Sequence, residues 1–374
     1  MTRIRALALL AVAALAAAPA FAQQTFDTQR VKLRADIVAG GLDHPWGLDF
    51  LPDGDAIVTE RPGRMRLLSQ GRLSEPLRGV PEVYAKGQGG LLDVLVPRDF
   101  DRTGTIFFTY AQPGDGGVGT AVASARLVRE GKPHLADLKV IFAMDNKART
   151  NLQFGSRLVE APDGTLFVTV GDQGKAARAQ DPADAAGTVL HINRDGSIPA
   201  DNPKKDGWLP QIWSIGHRNP EGAAWDPVTG ALWTVEHGAQ GGDEVNRPEA
   251  GKNYGWPVIS FGRNYDGSKI GEGTRKQGME QPLHYWDPSI APGGMAVYEG
   301  AMFPEWKGDL LVAALKFQLV SRLDRDDKGR IGKEERLFEK AFGRIRDVNV
   351  APDGSLWLLT DETDGAIVRI SRAD

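Results

Sequence analysis

The chain reads as an all-β propeller of four-stranded antiparallel blades. Three observations predict it: a recurring Pro-Asp-Gly turn, short apolar runs on both sides of that turn, and no long segment with helical periodicity. Leu51-Pro52-Asp53-Gly54 precedes Ala56-Ile57-Val58-Thr59, and Ala161-Pro162-Asp163-Gly164 precedes Leu166-Phe167-Val168-Thr169. Ala351-Pro352-Asp353-Gly354 precedes Leu356-Trp357-Leu358-Leu359, and a looser copy, Asp226-Pro227-Val228-Thr229-Gly230, precedes Leu232-Trp233-Thr234. In each turn Pro presets φ, Asp can accept from the backbone ahead of it, and Gly takes the positive φ, so the chain reverses between two strands. Four-stranded units of ~50 residues repeated along a chain indicate a propeller rather than a sandwich or a pair of barrels, the competing all-β arrangements. At 374 residues, the length suits six or seven blades. No linker or shift in composition divides it.

The first 22 residues read as a signal peptide. Arg3 and Arg5 give a positive start, Ala6–Ala18 is an apolar run too short to span a bilayer comfortably, and Ala20-Phe21-Ala22 has the small-x-small cleavage pattern. The expected mature propeller is residues 23–374, periplasmic or secreted, with no later membrane span. The sequence has no cysteine, which removes disulfides, thiolate zinc sites and cysteine nucleophiles, so stability outside the cell must come from packing or bound ions. A net charge of −4 argues against a nucleic-acid partner, which would want a basic face.

Two motif matches read as turns. Gly114-Asp115-Gly116-Gly117-Val118-Gly119 fits the dinucleotide fingerprint, but no amphipathic helix follows it, so a hairpin loop is the better reading. Asp324–Gly329 with Glu335 imitates a calcium loop, but Lys328 stands where an oxygen is needed and no helix flanks it.

What remains is a set of polar clusters at the ends of strands: Gly216–Gly222 and Glu236–Glu244, with Leu315-Lys316 and Arg344–Asp347 following strand-like runs. Three arginines and a lysine at such positions suit a polyanionic ligand, and the glycine-rich acidic segment offers the hard oxygens that calcium prefers.

These clusters belong to a longer series. His44-Pro-Trp-Gly, Gly87-Gln-Gly-Gly-Leu-Leu, Phe154-Gly-Ser-Arg-Leu, Val170-Gly-Asp-Gln-Gly, Gly216-His-Arg-Asn-Pro, Gly242-Asp-Glu, Asn253-Tyr-Gly-Trp-Pro, Ser289-Ile-Ala-Pro and Arg344-Ile-Arg-Asp-Val run in order over nearly the whole mature chain. The series resembles the soluble quinoprotein glucose and aldose sugar dehydrogenases, six-bladed propellers that use pyrroloquinoline quinone and calcium. The resemblance implies an exported oxidoreductase that oxidises aldoses at the anomeric carbon to lactones by hydride transfer to the quinone. It places Arg218 at the quinone oxygen with Asn219 beside it, Lys316, Arg344 and Arg346 at the cofactor's carboxylates, and Ser289 where a hydroxyl residue contacts the cofactor. Gly238 and Ala239 match the carbonyls of the cofactor's calcium, and Glu244 and Tyr254 match ligands of a structural calcium. Gln88 and Asp172 fall near the sugar, with Tyr285 or Trp286 as a pocket wall.

One position departs from the pattern. The family has a histidine directly before Phe-Gly-Ser-Arg-Leu, where it takes the proton of the sugar hydroxyl, and this chain has Gln153. An amide can bond that hydroxyl but has no useful basicity, and losing a positioned base removes ~10²–10⁴-fold in rate. Two alternatives therefore stand beside the dehydrogenase: a calcium-dependent lactonase on the same fold, and a weakened propeller that holds cofactor or sugar. The electron acceptor and the choice between monomer and homodimer stay open.

Overall fold

The computed structural model describes residues 24–373, so the signal-peptide segment lies outside the described residues. Six antiparallel sheets form, five of four strands and one of five. The inner strands are Pro45–Phe50, Leu91–Leu95, Gly155–Glu160, Pro220–Asp226, Pro292–Val297 and Ile345–Val350. Each packs against the next, and the last packs against the first, which closes a ring of blades 1 to 6 in that order. Blade 6 takes its outer strand from the other end of the chain: Lys32–Leu42 pairs with Gly365–Arg372, and Gln24–Asp27 adds a fifth strand outside it. The number of blades is thus six.

The repeated turn forms as the sequence predicts. Leu51 N–H donates to Asp55 O (2.8 Å), Gly54 N–H to Leu51 O (2.9 Å), and Gly54 has φ +90°. Ala161/Thr165 and Ala351/Ser355 repeat both bonds, and Asp163 and Asp353 accept from the backbone two residues on, at 3.0 and 2.9 Å. The looser copy closes by Gly230 N–H to Asp226 O instead. The strand after each turn is buried throughout or nearly so, as in Ala56–Glu60 and Leu166–Val170, because blades cover it on both faces.

Apolar side chains fill the six gaps between blades. Tyr298, Trp306, Leu311 and Val348 pack between blades 5 and 6, and Leu42, Leu48, Val58 and Ile367 seal blade 6 against blade 1. The two discounted motifs are hairpins: Thr105–Gly114 turns directly into Gly117–Val128, and Leu319–Arg325 into Ile331–Leu337. Glu335 there pairs with Arg322 at 2.7 Å. Among the described residues no helix is long and apolar enough to cross a membrane.

Candidate active site

All inner strands start at one end of the ring, and the second strands end there, so the segments around residues 44, 88, 153, 172, 218, 238, 290, 316 and 346 gather at that end. Arg344 and Arg346 do not follow a strand, as their neighbourhood in the sequence suggests; Ile345–Val350 begins between them.

The floor of this end is a buried ion network. Arg157, on blade 3, meets Asp93 of blade 2 at 2.8 Å and Asp347 of blade 6 at 3.1 Å. Arg346 bridges Glu221 of blade 4 and Asp361 of blade 6, the latter at 2.7 Å. Both guanidinium groups lie over Trp46, with centroid distances of 4.6 and 5.8 Å. Burial alone would raise the Glu221 carboxyl, but Arg346 and His237 outweigh it and hold it down to about 2. Asp93 is pushed up to about 6 because burial wins over Arg157.

Above the floor the predicted residues form a chain of contacts. Gln88 Oε1 accepts from Gln153 N–H at 2.6 Å. Gln153 is buried with φ +57°, and its carbonyl accepts from Gln173 N–H at 3.1 Å. Asp172 N–H donates to Arg218 O (2.8 Å), while the Asp172 carboxylate accepts from Trp256 Nε1 and Gly174 N–H, both at 2.8 Å. Burial raises the Asp172 carboxyl above the usual range despite those bonds and Arg218. Arg218 lies over the Trp256 ring at 5.2 Å and donates to the carbonyls of His237 and Gly238. Asn219 donates to Glu221 (2.8 Å) and accepts from Gly155 N–H (2.9 Å).

Other predicted residues are placed differently. The Ser289 hydroxyl is bound to Asp243, which also accepts from Gly238, Ile290 and Ala291 N–H groups, so Ser289 and Asp243 together knot the loop before blade 5. Lys316 is exposed beside Phe317 (5.8 Å), and Arg344 is half-exposed, 3.6 Å from Asp361. Trp286 is buried in the core between blades 4 and 5 and donates to Glu334, which leaves Tyr285, exposed and stacked on Phe261 at 4.2 Å, as the residue able to form a wall. The sequence does not single out Trp256, Glu221 and Asp361 as site residues. Trp256 and Glu221 lie inside the ordered motifs and polar clusters, but nothing local marks a buried partner.

The donor set fits a tricarboxylate and a cation. Arg218 Nε and Arg346 Nε are buried without a hydrogen-bond partner, while His237 Nε2 lies 3.3 Å from Glu221, and the two free N–H groups at this end of the ring call for an acceptor-rich guest. Beside Arg218, Glu236 and Glu244 line a cavity of about 10 Å³ with Gly238, Gly242 and Tyr254. Burial and the Glu236 charge push the Glu244 carboxyl up to about 8, the strain a cation would relieve. Among the described residues no three His, Asp or Glu side chains converge as a metal site, so main-chain oxygens would have to contribute. Ala239 is buried at this place, but the Gly238 carbonyl is already taken by Arg218. The Tyr254 hydroxyl is occupied by Arg247 O and Glu249 N–H, which leaves only its carbonyl.

Comparison with known proteins identifies the family. An aldose sugar dehydrogenase of Escherichia coli is 41% identical over 348 residues, covering 91% of this chain and 93% of the relative. Its apo crystal structure superposes with a TM-score of 0.88, covering 91% of this chain and all of that one. The PQQ-bound aldose sugar dehydrogenase of Streptomyces coelicolor is 25% identical with a TM-score of 0.75, covering 91% of this chain and 99% of that one. The quinoprotein glucose dehydrogenase B of Acinetobacter calcoaceticus is 25% identical over 438 residues, 96% of this chain and 91% of the relative. Residues 42–369 match the profile of the glucose/sorbosone dehydrogenases, and the chain belongs to that family of oxidoreductases.

Proposed function

We propose that the chain is an exported dehydrogenase that oxidises aldoses at the anomeric carbon to lactones, with pyrroloquinoline quinone and calcium as cofactors. The observation that carries this reading is the pair of unpartnered buried nitrogens on Arg218 and Arg346, at the end of the ring where Arg218 also lines the Glu236/Glu244 cavity. Pyrroloquinoline quinone, when bound, supplies a two-electron acceptor that calcium polarises. Arg346 and Arg344, with the exposed Lys316, would hold its carboxylates. Arg218, held by Trp256, faces the place where negative charge develops.

Gln153 holds the sugar hydroxyl by its amide and cannot take the proton. Of His191, His217 and His237, the histidines that could swing in from neighbouring loops as a substitute base, two are excluded by their contacts. His191 is bonded at both nitrogens, to Thr165 and Asn202, and His217 is fully buried between Ser214 and Glu236. The remaining acceptors are His237, 3.3 Å from Glu221, and Asp172, whose neighbour Gln173 bonds the Gln153 carbonyl. We assign the proton to Asp172, because His237 Nε2 is engaged with Glu221 and burial raises the basicity of the Asp172 carboxylate.

The test is to add calcium and pyrroloquinoline quinone to the purified chain, follow the melting temperature, then screen aldoses by dye reduction. The expected result is stabilisation that needs both ligands, followed by turnover. An unchanged melting temperature with both in excess would sink the reading. Stabilisation without turnover would establish the second reading, a cofactor-holding propeller, which the loss of the base histidine at Gln153 favours.

A further inference from the structure

The gap between blades 3 and 4 is filled differently from the others. Its buried apolar cluster is small, with Val159, Phe167, Val189 and Leu232 as main members. Trp213 and Trp225 only partly cover it. A groove of about 480 Å³ opens there, lined by residues 161–163 and 230–232, which follow the inner strand of blade 3 and begin the second strand of blade 4. It therefore lies at the Pro-Asp-Gly end, opposite the candidate active site. Its volume is that of an ordinary small-molecule site.

The wall is aromatic. Phe167 stands edge-on to Trp213 at 5.3 Å and nearly parallel to Trp225 at 6.3 Å. His191 stacks under Phe167 at 4.3 Å, but with both ring nitrogens bonded it offers the groove neither donor nor acceptor. Trp213 Nε1 is likewise spent on Pro248 O at 3.1 Å. The charged groups at the groove are the carboxylates of Asp163, Asp201 and Glu249, and no lysine or arginine is among the lining residues. The Asp201 and Glu249 side chains are 64% and 51% exposed, and Glu249 meets the exposed Arg247 at 3.0 Å and feels the charge of Lys252, interactions that solvent weakens.

This chemistry selects a guest by sign. An anion is repelled by three carboxylates. A neutral sugar could donate its hydroxyls to the carboxylates, but it would leave their charge unbalanced. A cation with an apolar shell suits both features at once, since ring faces attract it and the rim carboxylates balance its charge. We propose that the groove between blades 3 and 4 binds a small organic cation of the quaternary or alkylammonium class, held against Trp213, Trp225 and Phe167 with Asp201 and Glu249 at the rim. The inference does not depend on the redox function proposed above.

The test is calorimetric titration of the full chain, without added cofactor, with choline, its neutral isostere 3,3-dimethyl-1-butanol, and glucose. Choline should bind saturably, and both neutral compounds should bind at least about tenfold more weakly. Trp225→Leu, which keeps apolar bulk but removes the ring, should weaken choline by about tenfold with the melting temperature kept near wild type. The exposed double change Asp201→Asn with Glu249→Gln should weaken it further at low salt than at high salt. Equal binding of choline and its isostere, glucose binding instead of choline, no saturable choline binding, or an unchanged affinity in Trp225→Leu would each overturn the proposal. If Trp225→Leu fails to fold, the charge pair of variants decides alone, since both side chains are largely in solvent.

Discussion

The two ends of the ring are built on different principles. At the Pro-Asp-Gly end the same five-residue turn recurs with the same bonds, each closed within four residues of sequence. The Cβ that Gly54 lacks would meet no atom within 4 Å, so this glycine serves its φ alone. At the other end, non-glycine residues adopt left-handed conformations: His44, Gln153, Ser156, Gln173 and Ala291 all have positive φ. Glycines there make room for neighbours: a Cβ on Gly171 would sit 2.2 Å from Gln153 O, and one on Gly294 would sit 1.6 Å from Asp347 Oδ1. Strain and desolvated charge concentrate where chemistry is expected, and the opposite end carries the repeat. The lesson is that local sequence builds the blades, while their closure into a ring builds the site.

The largest expected effect tests that concentration of function. Gln153→His should raise aldose turnover by on the order of 10²-fold, about 3 kcal/mol of barrier, and add a limb to the pH profile near ~6.5. Rates from pH 5 to 10 at saturating ligands check it. If Asp172 is the base, Asp172→Asn should lower wild-type turnover by ~10²-fold or more while cofactor affinity stays close to wild type. A fast wild type that is indifferent to Asp172→Asn would refute that assignment.

A second experiment breaks the ion network. Glu221→Gln leaves Arg346 short of one carboxylate and should cost about 3 kcal/mol in urea unfolding at pH 7. The sign with pH follows from the shift. The folded pKa of about 2 lies below the ordinary 4.5, so the stabilisation is complete above pH 4.5 and is lost as pH falls toward 2. Wild type and variant should therefore converge in acid; a constant gap down to pH 2 would show that the loss is packing, not charge.

Within the site, Arg346→Ala should loosen the cofactor and destabilise the fold, because Glu221 and Asp361 lose their cation. Arg218→Ala should mainly lower turnover, since its contact strengthens as charge builds. Saturated Arg218→Ala turning over normally would end that role.

The smallest effect separates the two ends most cleanly. Gly54→Ala should cost only about 1–2 kcal/mol, the penalty of a left-handed alanine, and leave turnover unchanged. Gly171→Ala should cost more and slow the enzyme, since it displaces the Gln153 carbonyl. Equal costs would erase the distinction between the ends.

The sequence by itself determined what is local. Pro, Asp and Gly in order close a turn whose bonds need no partner from elsewhere, and an apolar run beside it needs only a neighbouring strand. The ordered motifs likewise marked Gln153, Asp172 and Arg218, which the fold does bring together. What the tertiary structure alone decided is which groups remain available. Arg157 meets Asp347 across 190 residues, and Asp172 meets the Trp256 indole across 84. Ser289 is spent on Asp243, Trp286 on the core, and the Gly238 carbonyl on Arg218. The physical reason is that a buried charge or polar atom must find its partner wherever ring closure puts one. Six blades meeting at a single end supply partners that no stretch of sequence carries in itself.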